Sequence, residues 1–137
     1  MHRTGGVSIT DEQWQQLAIE ARAASGNAYC RYSGFAVGAA VLAHNGAIAS
    51  GCNVENASFG LTICAERSAV FRAIADGARA IVALCLYTPT AEPATPCGAC
   101  RQVVAEFGGD VRIRCICDST IVADFTLEEL LPRSFSL

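Results

Sequence analysis

The chain has 137 residues, enough for one apolar core and too few for two ordinary domains, so neither disulfides nor a structural metal is needed for folding. Apolar residues make up 52% and charged residues 17%, a lean polar surface of the kind that another subunit covers. Net charge is −3 and all ten basic residues are arginines scattered along the chain, which excludes a basic stripe for polynucleotide phosphates, a P-loop lysine and any lysine nucleophile or Schiff base.

Thr10-Asp11-Glu12-Gln13 has the form of a capping box, and Trp14, Leu17, Ala18 and Ala21 follow at helical spacing, which predicts a helix ending near Gly26. Phe35 to Ala43, the turn His44-Asn45-Gly46 and Ala47 to Asn53 predict a β-hairpin. Cys64 to Asp76 reads as a helix stopped by Gly77, with Ala69, Val70, Ala73 and Ile74 as core positions. Ala80 to Tyr87 reads as a buried strand. Thr95-Pro96 is expected to open a helix, threonine as N-cap and proline in the first position. Val111 to Cys117 and Ile121 to Phe125 complete the strands, and Thr126 to Glu129 forms a second capping box for a short helix closed by Pro132. The pattern predicts an α/β fold, a single domain over residues 1–137 with 1–9 as a loosely ordered N-terminus.

There is no signal-type segment and no apolar run of about 18 residues, so the expected compartment is the cytoplasm. In that reducing setting eight cysteines read as thiols or metal ligands. Cys85, Cys115 and Cys117 lie in apolar runs and read as small buried residues, and Cys30 and Cys52 also take the structural reading.

Chemistry concentrates in Cys64-Ala65-Glu66 and Pro96-Cys97-Gly98-Ala99-Cys100. A catalytic zinc keeps three protein ligands and one open position, and Cys97 and Cys100 at a helix entrance can share an ion with Cys64. Glu66 stands about 200° round a regular helix from Cys64, so both face one site only if the helix begins there. Three thiolates overcompensate a divalent cation, and two helix N-termini with Arg67 can offset the excess. Glu66 then fits a general base and acid. Taken alone, Cys97 and Cys100 also fit a structural zinc half-site or a thiol-disulfide pair. Asn53 and Glu55 also fit a solvated strand face, Phe35 fits plain core, and Arg67 fits a surface helix position. With His2 at the terminus and His44 in a turn as the only histidines, the sequence argues against a Ser-His-Asp hydrolase.

Cys-Ala-Glu followed by Pro-Cys-x-x-Cys is the all-cysteine form of the zinc nucleobase deaminase signature. Further segments, Tyr32 to Ala40, Gly51 to Ser58, Pro96 to Gln102 and Glu129 to Pro132, make residues 10–137 resemble the small cytidine deaminase family. The resemblance implies a three-layer α/β/α fold on a mixed five-stranded sheet and a homotetramer whose active sites neighbouring subunits complete. It implies one zinc per chain on Cys64, Cys97 and Cys100, with Arg67 beside the thiolates. It also implies attack by zinc-bound hydroxide on C4 of cytosine, loss of ammonia, and proton transfer by Glu66. Phe35, Asn53, Glu55, Ala65 and Phe135 are the implied substrate-binding residues, Asn53 and Glu55 at the ribose and Phe135 from a neighbouring subunit. The implied substrate is a pyrimidine nucleoside, cytidine or 2′-deoxycytidine, used in pyrimidine salvage, with no nucleic-acid or membrane partner. Phe59 stands where many relatives carry tyrosine, which removes a hydroxyl near the site. A rival reading, a deaminase of a modified nucleoside such as blasticidin S, shares the zinc motif but differs around Asn53 to Asn56.

Overall fold

Thr10 caps α1 (Asp11–Ser25), its hydroxyl accepting from the Gln13 N–H while the Gln13 side chain accepts from the Thr10 N–H. α1 is the first element of a computed structural model that describes residues 8–137. Of the N-terminus expected to be loosely ordered, residues 1–7 lie outside the described residues. Trp14, Leu17 and Ala21 turn one face of α1 into the core.

β1 (Gly38–Ala43) and β2 (Ile48–Cys52) form the expected hairpin, with Gly46 at φ 89° in its turn. The strand begins three residues later than the expected Phe35, for a specific reason. Asn53 Oδ1 accepts from the Val37 N–H at 2.9 Å and Asn53 Nδ2 donates to the Phe35 C=O at 2.8 Å. A side-chain amide thus takes the place of the β-ladder over Phe35 to Val37. A short 3₁₀ turn, Phe59–Leu61, precedes α2 (Ala65–Ala75); of its expected core positions Ala69, Val70 and Ala73 are buried, while Ile74 is half-buried against the core edge.

β3 (Ile81–Tyr87) is followed by α3 (Gly98–Phe107), then β4 (Arg112–Ile116), β5 (Ala123–Thr126) and the one-turn α4 (Leu127–Leu130). Cys97, and not Thr95, is the N-cap of α3, so the expected start is corrected. Arg101 is the cause: its guanidinium donates to Thr95 Oγ1 at 3.1 Å and to the Pro96 C=O at 2.7 Å, which ties both residues up outside the helix. Thr126 caps α4 in a capping box with Glu129.

The five strands form one sheet in the order β2-β1-β3-β4-β5; β3 and β4 run parallel and the other neighbours antiparallel. Side chains alternate across it. Ala40, Leu42, Ala83 and Cys85 pack under α1, while Ala39, Val41, Leu84, Leu86 and Ile113 pack under α2, α3 and α4. These are the three layers and the mixed sheet expected. Two glycines set the spacing of layers on the hairpin. A Cβ at Gly38 would lie 1.8 Å from the Ala21 carbonyl oxygen of α1, and one at Gly51 would lie 2.4 Å from the Ala69 nitrogen of α2. Each helix backbone therefore rests directly on the sheet. Among the described residues no helix is long and apolar enough to cross a membrane.

Candidate active site

The connection into α2 runs as an isolated bridge, Val54 opposite Ile63, and then stops the extended chain at Cys64. Cys64 is the N-cap of α2 with φ −74° and ψ 156°, so it lies off the helical wheel and shares a side with Glu66. Cys97 caps α3 in the same way, φ −69° and ψ 166°, and Cys100 follows in the first turn. Neither N-cap thiol makes a capping hydrogen bond, so both sulfurs are available at positive helix ends.

The three sulfurs all lie within 4.8 Å of one another, with Cys64 Sγ 3.9 Å from Cys97 Sγ and Cys97 Sγ 3.4 Å from Cys100 Sγ. A zinc–sulfur bond of about 2.3 Å puts tetrahedral thiolates about 3.8 Å apart, so the donor set and its spacing fit zinc with one position left over. Arg67 NH2 stands 3.4 Å from Cys64 Sγ, and hydrogen bonding to that sulfur, with Cys100 adding, holds its guanidinium above the usual range. Hydrogen bonding from Cys100, with Arg67 and Cys97 adding, holds the Cys64 thiol well below the usual thiol range. Cys100 is held correspondingly high by the same bond to Cys64.

Glu66 is 5% exposed. Burial pushes its carboxyl up to about 7, and the charge on Cys64 adds to the rise. Such a carboxyl can both accept and donate a proton near neutral pH. It lies in a cleft of about 260 Å³ whose walls include Phe35, Asn53, Ala65, Leu86 and Thr88. Leu86 and Thr88, at the carboxyl end of β3 beside parallel β4, are not singled out by sequence reasoning. The available signal was topological, because open α/β sheets bind ligands at the carboxyl ends of their strands.

The candidate residues do not all meet. Asn53 lines the cleft, but it is buried and its amide is engaged by Phe35 and Val37, unlike a side chain on a solvated strand face. Glu55 lies in an adjoining cleft of about 360 Å³ with Tyr32, Ser33, Asn56 and Phe59, and Thr62 lines both. Its Oε1 accepts from the N–H groups of Tyr32 and Ser33, each at 3.0 Å, and its Oε2 from the Ser33 hydroxyl, which holds the carboxyl below the usual range. Phe135 lines neither cleft and is 70% exposed. Among the other cysteines, Cys85, Cys115 and Cys117 are buried, and Cys30 and Cys52 half-buried.

Residues 9–117 match the family description "Cytidine and deoxycytidylate deaminase zinc-binding region". The chain belongs to that family. Within the deaminase family it is 44% identical over 123 residues to a cytidine deaminase of Sporosarcina psychrophila, covering 89% of this chain and 90% of the relative. It is 41% identical over 129 residues to a cytidine deaminase of Mycobacterium tuberculosis, covering 94% of each. The crystal structure of a cytidine deaminase from Burkholderia pseudomallei superposes with a TM-score of 0.84 at 42% identity, over 88% of this chain and 98% of that one. The region matched by the deaminase family contains all three sulfurs and Glu66, and ends before Phe135. The family's metal is zinc, and the sulfur triad is where this chain would hold it.

Proposed function

We propose that the chain hydrolyses cytidine and 2′-deoxycytidine to uridine and 2′-deoxyuridine, consuming water and releasing ammonia, as a step of cytoplasmic pyrimidine salvage. The observation that carries this reading is the juxtaposition of three sulfurs at two helix N-termini with a buried carboxyl in one cleft. Bound zinc supplies a Lewis acid that makes water acidic at neutral pH. Cys64, Cys97 and Cys100 hold it, and Arg67 offsets the negative charge of the thiolates.

Glu66 takes a proton from water and delivers it to N3 of the cytosine ring, then assists departure of the exocyclic amine as ammonia. Phe35 and Leu86 wall the ring with apolar surface, and Ala65, with no side chain beyond Cβ, leaves room at the helix end. Asn53 positions Phe35 through its backbone carbonyl, and its carboxamide, together with Glu55, receives the ribose hydroxyls. Binding energy from the sugar then holds C4 in place, so a substrate lacking the sugar loses turnover as well as affinity.

The reading includes a homotetramer in which Phe135 reaches a neighbour's cleft. Its support is the exposure of Phe59, Leu61, Phe71 and Phe135 on a chain with few charges. The eight cysteines, all unpaired, suit a reducing compartment. The test is ammonia release from cytidine, deoxycytidine, cytosine, adenosine and blasticidin S, with sizing of the protein in solution. Turnover of cytidine and deoxycytidine well above the other three is expected; preference for blasticidin S or adenosine overturns the substrate assignment.

A further inference from the structure

Residues Arg101 and Gln102 sit on α3 directly after the ligand Cys100, and both side chains leave the helix to hold the C-terminal chain. Arg101 NH1 donates to the Leu130 C=O at 2.8 Å and so fixes the end of α4. Gln102 then grips Phe135 at two points. Its Nε2 donates to the Phe135 C=O at 3.0 Å and its Oε1 accepts from the Phe135 N–H at 3.3 Å. Past Leu131 these are the hydrogen bonds, among the described residues, that tie the tail to another element. The residues between, Pro132 to Ser134, are exposed and irregular.

An exposed aromatic ring on an irregular tail gains nothing for its own chain from such a clamp. Two amide contacts on one residue fix both the position and the direction of its Cα–Cβ bond, which is what a ring presented to another surface requires. We infer that Gln102 is a positioning residue, acting through Phe135 on nucleoside binding. The inference rests on the reading that Phe135 completes a neighbouring subunit's cleft. An unclamped tail would hold the ring in the competent position for only a fraction of the time, and apparent affinity falls by that fraction. The effect belongs in KM and not in kcat, because neither residue is a sulfur ligand or the proton-transferring carboxyl.

The test is steady-state kinetics on cytidine for Gln102→Met, Phe135→Ala and the double variant. Methionine keeps the length and helix propensity of glutamine and removes both hydrogen bonds. Two hydrogen bonds of ordinary net worth predict a KM raised about five- to 150-fold in Gln102→Met, with kcat within about twofold. Zinc content and assembly size should stay those of the parent. In the Phe135→Ala background the same change should add less than about twofold, since a residue acting through the ring has nothing left to act on. Gln102→Glu, which keeps the acceptor for the Phe135 N–H and loses the donor, should raise KM in the same direction. An unchanged KM in both Gln102 variants while Phe135→Ala raises it overturns the positioning role and leaves the Phe135 reading standing. Effects of Gln102→Met and Phe135→Ala that multiply in the double variant overturn it as well. If Phe135→Ala itself leaves KM unchanged, the reading of Phe135 has failed and the inference falls with it.

Discussion

Glu66→Gln should make the enzyme nearly inactive and its metal-free form more stable. Glutamine is almost isosteric, so the 5% exposed site should stay packed, but the carboxylate proposed to accept the proton is gone. Proton transfer by a positioned side chain is worth about 10²–10⁴-fold, and the loss of kcat should fall in that range. The stability effect follows from the same burial. In the unfolded chain a glutamate ionises at its ordinary value of 4.5, whereas in the fold its acid form persists up to about 7. Between those values the unfolded state releases a proton that the folded state keeps, so this carboxyl destabilises the fold increasingly as pH rises. Above pH 7 the penalty is complete, at about 3 kcal/mol. Replacing it with an uncharged amide removes the penalty at pH 8 and changes little at pH 4.5. Urea unfolding of zinc-stripped parent and variant at both pH values measures this, and ammonia release with zinc analysis measures the first effect. Turnover within a few-fold of the parent would show that another group moves the proton. Equal stability of the two proteins at pH 8 would show that Glu66 is not ionised against its surroundings.

Other substitutions test the remaining parts. Asn53→Ala should cost about 2–4 kcal/mol in urea unfolding, because the Val37 N–H and Phe35 C=O are left without partners. It should also slow deamination of free cytosine, which has no ribose, since Phe35 loses its tether; an unaffected cytosine rate would refute that tether. Glu55→Ala should narrow the advantage of cytidine over cytosine chiefly by lowering kcat/KM for cytidine, and equal losses on both substrates would remove Glu55 from the ribose. Arg67→Ala should shorten zinc retention under a competing chelator, because the Cys64 thiolate loses the cation 3.4 Å away. Cys100→Ala should abolish zinc binding and lower stability, as read by metal analysis and thermal melting.

Local chemistry was legible wherever neighbours in sequence satisfy one another. The capping boxes of Thr10 with Gln13 and Thr126 with Glu129 are each closed within three residues, and both helices begin where those pairs predict. The sulfur site was legible for a related reason: two ligands lie in one helical turn and the third adjoins Glu66. What sequence could not show were side chains claimed from a distance. Thr95 reads as an N-cap until Arg101, six positions on, takes its hydroxyl. Phe35 to Val37 reads as strand until Asn53 occupies its peptide groups. The division of Asn53 and Glu55 between two clefts is likewise invisible, because alternation along a strand does not say that the strand ends at Cys52.

Placing two sulfur ligands on the caps of different helices also bears on the order in which the molecule assembles. Cys97 and Cys100 are near one another in any helical turn, but Cys64 is 33 residues from Cys97 and meets it only after β3 has paired across the sheet. An unfolded chain can offer a metal two thiolates; the third arrives with tertiary structure. Closing a loop of that length costs about 4 kcal/mol of chain entropy, and a three-thiolate site forms only where packing under α2 and α3 has already met it. Tight metal capture therefore reports a completed sheet, and zinc added to a refolding chain should act late, locking a finished fold and not seeding one.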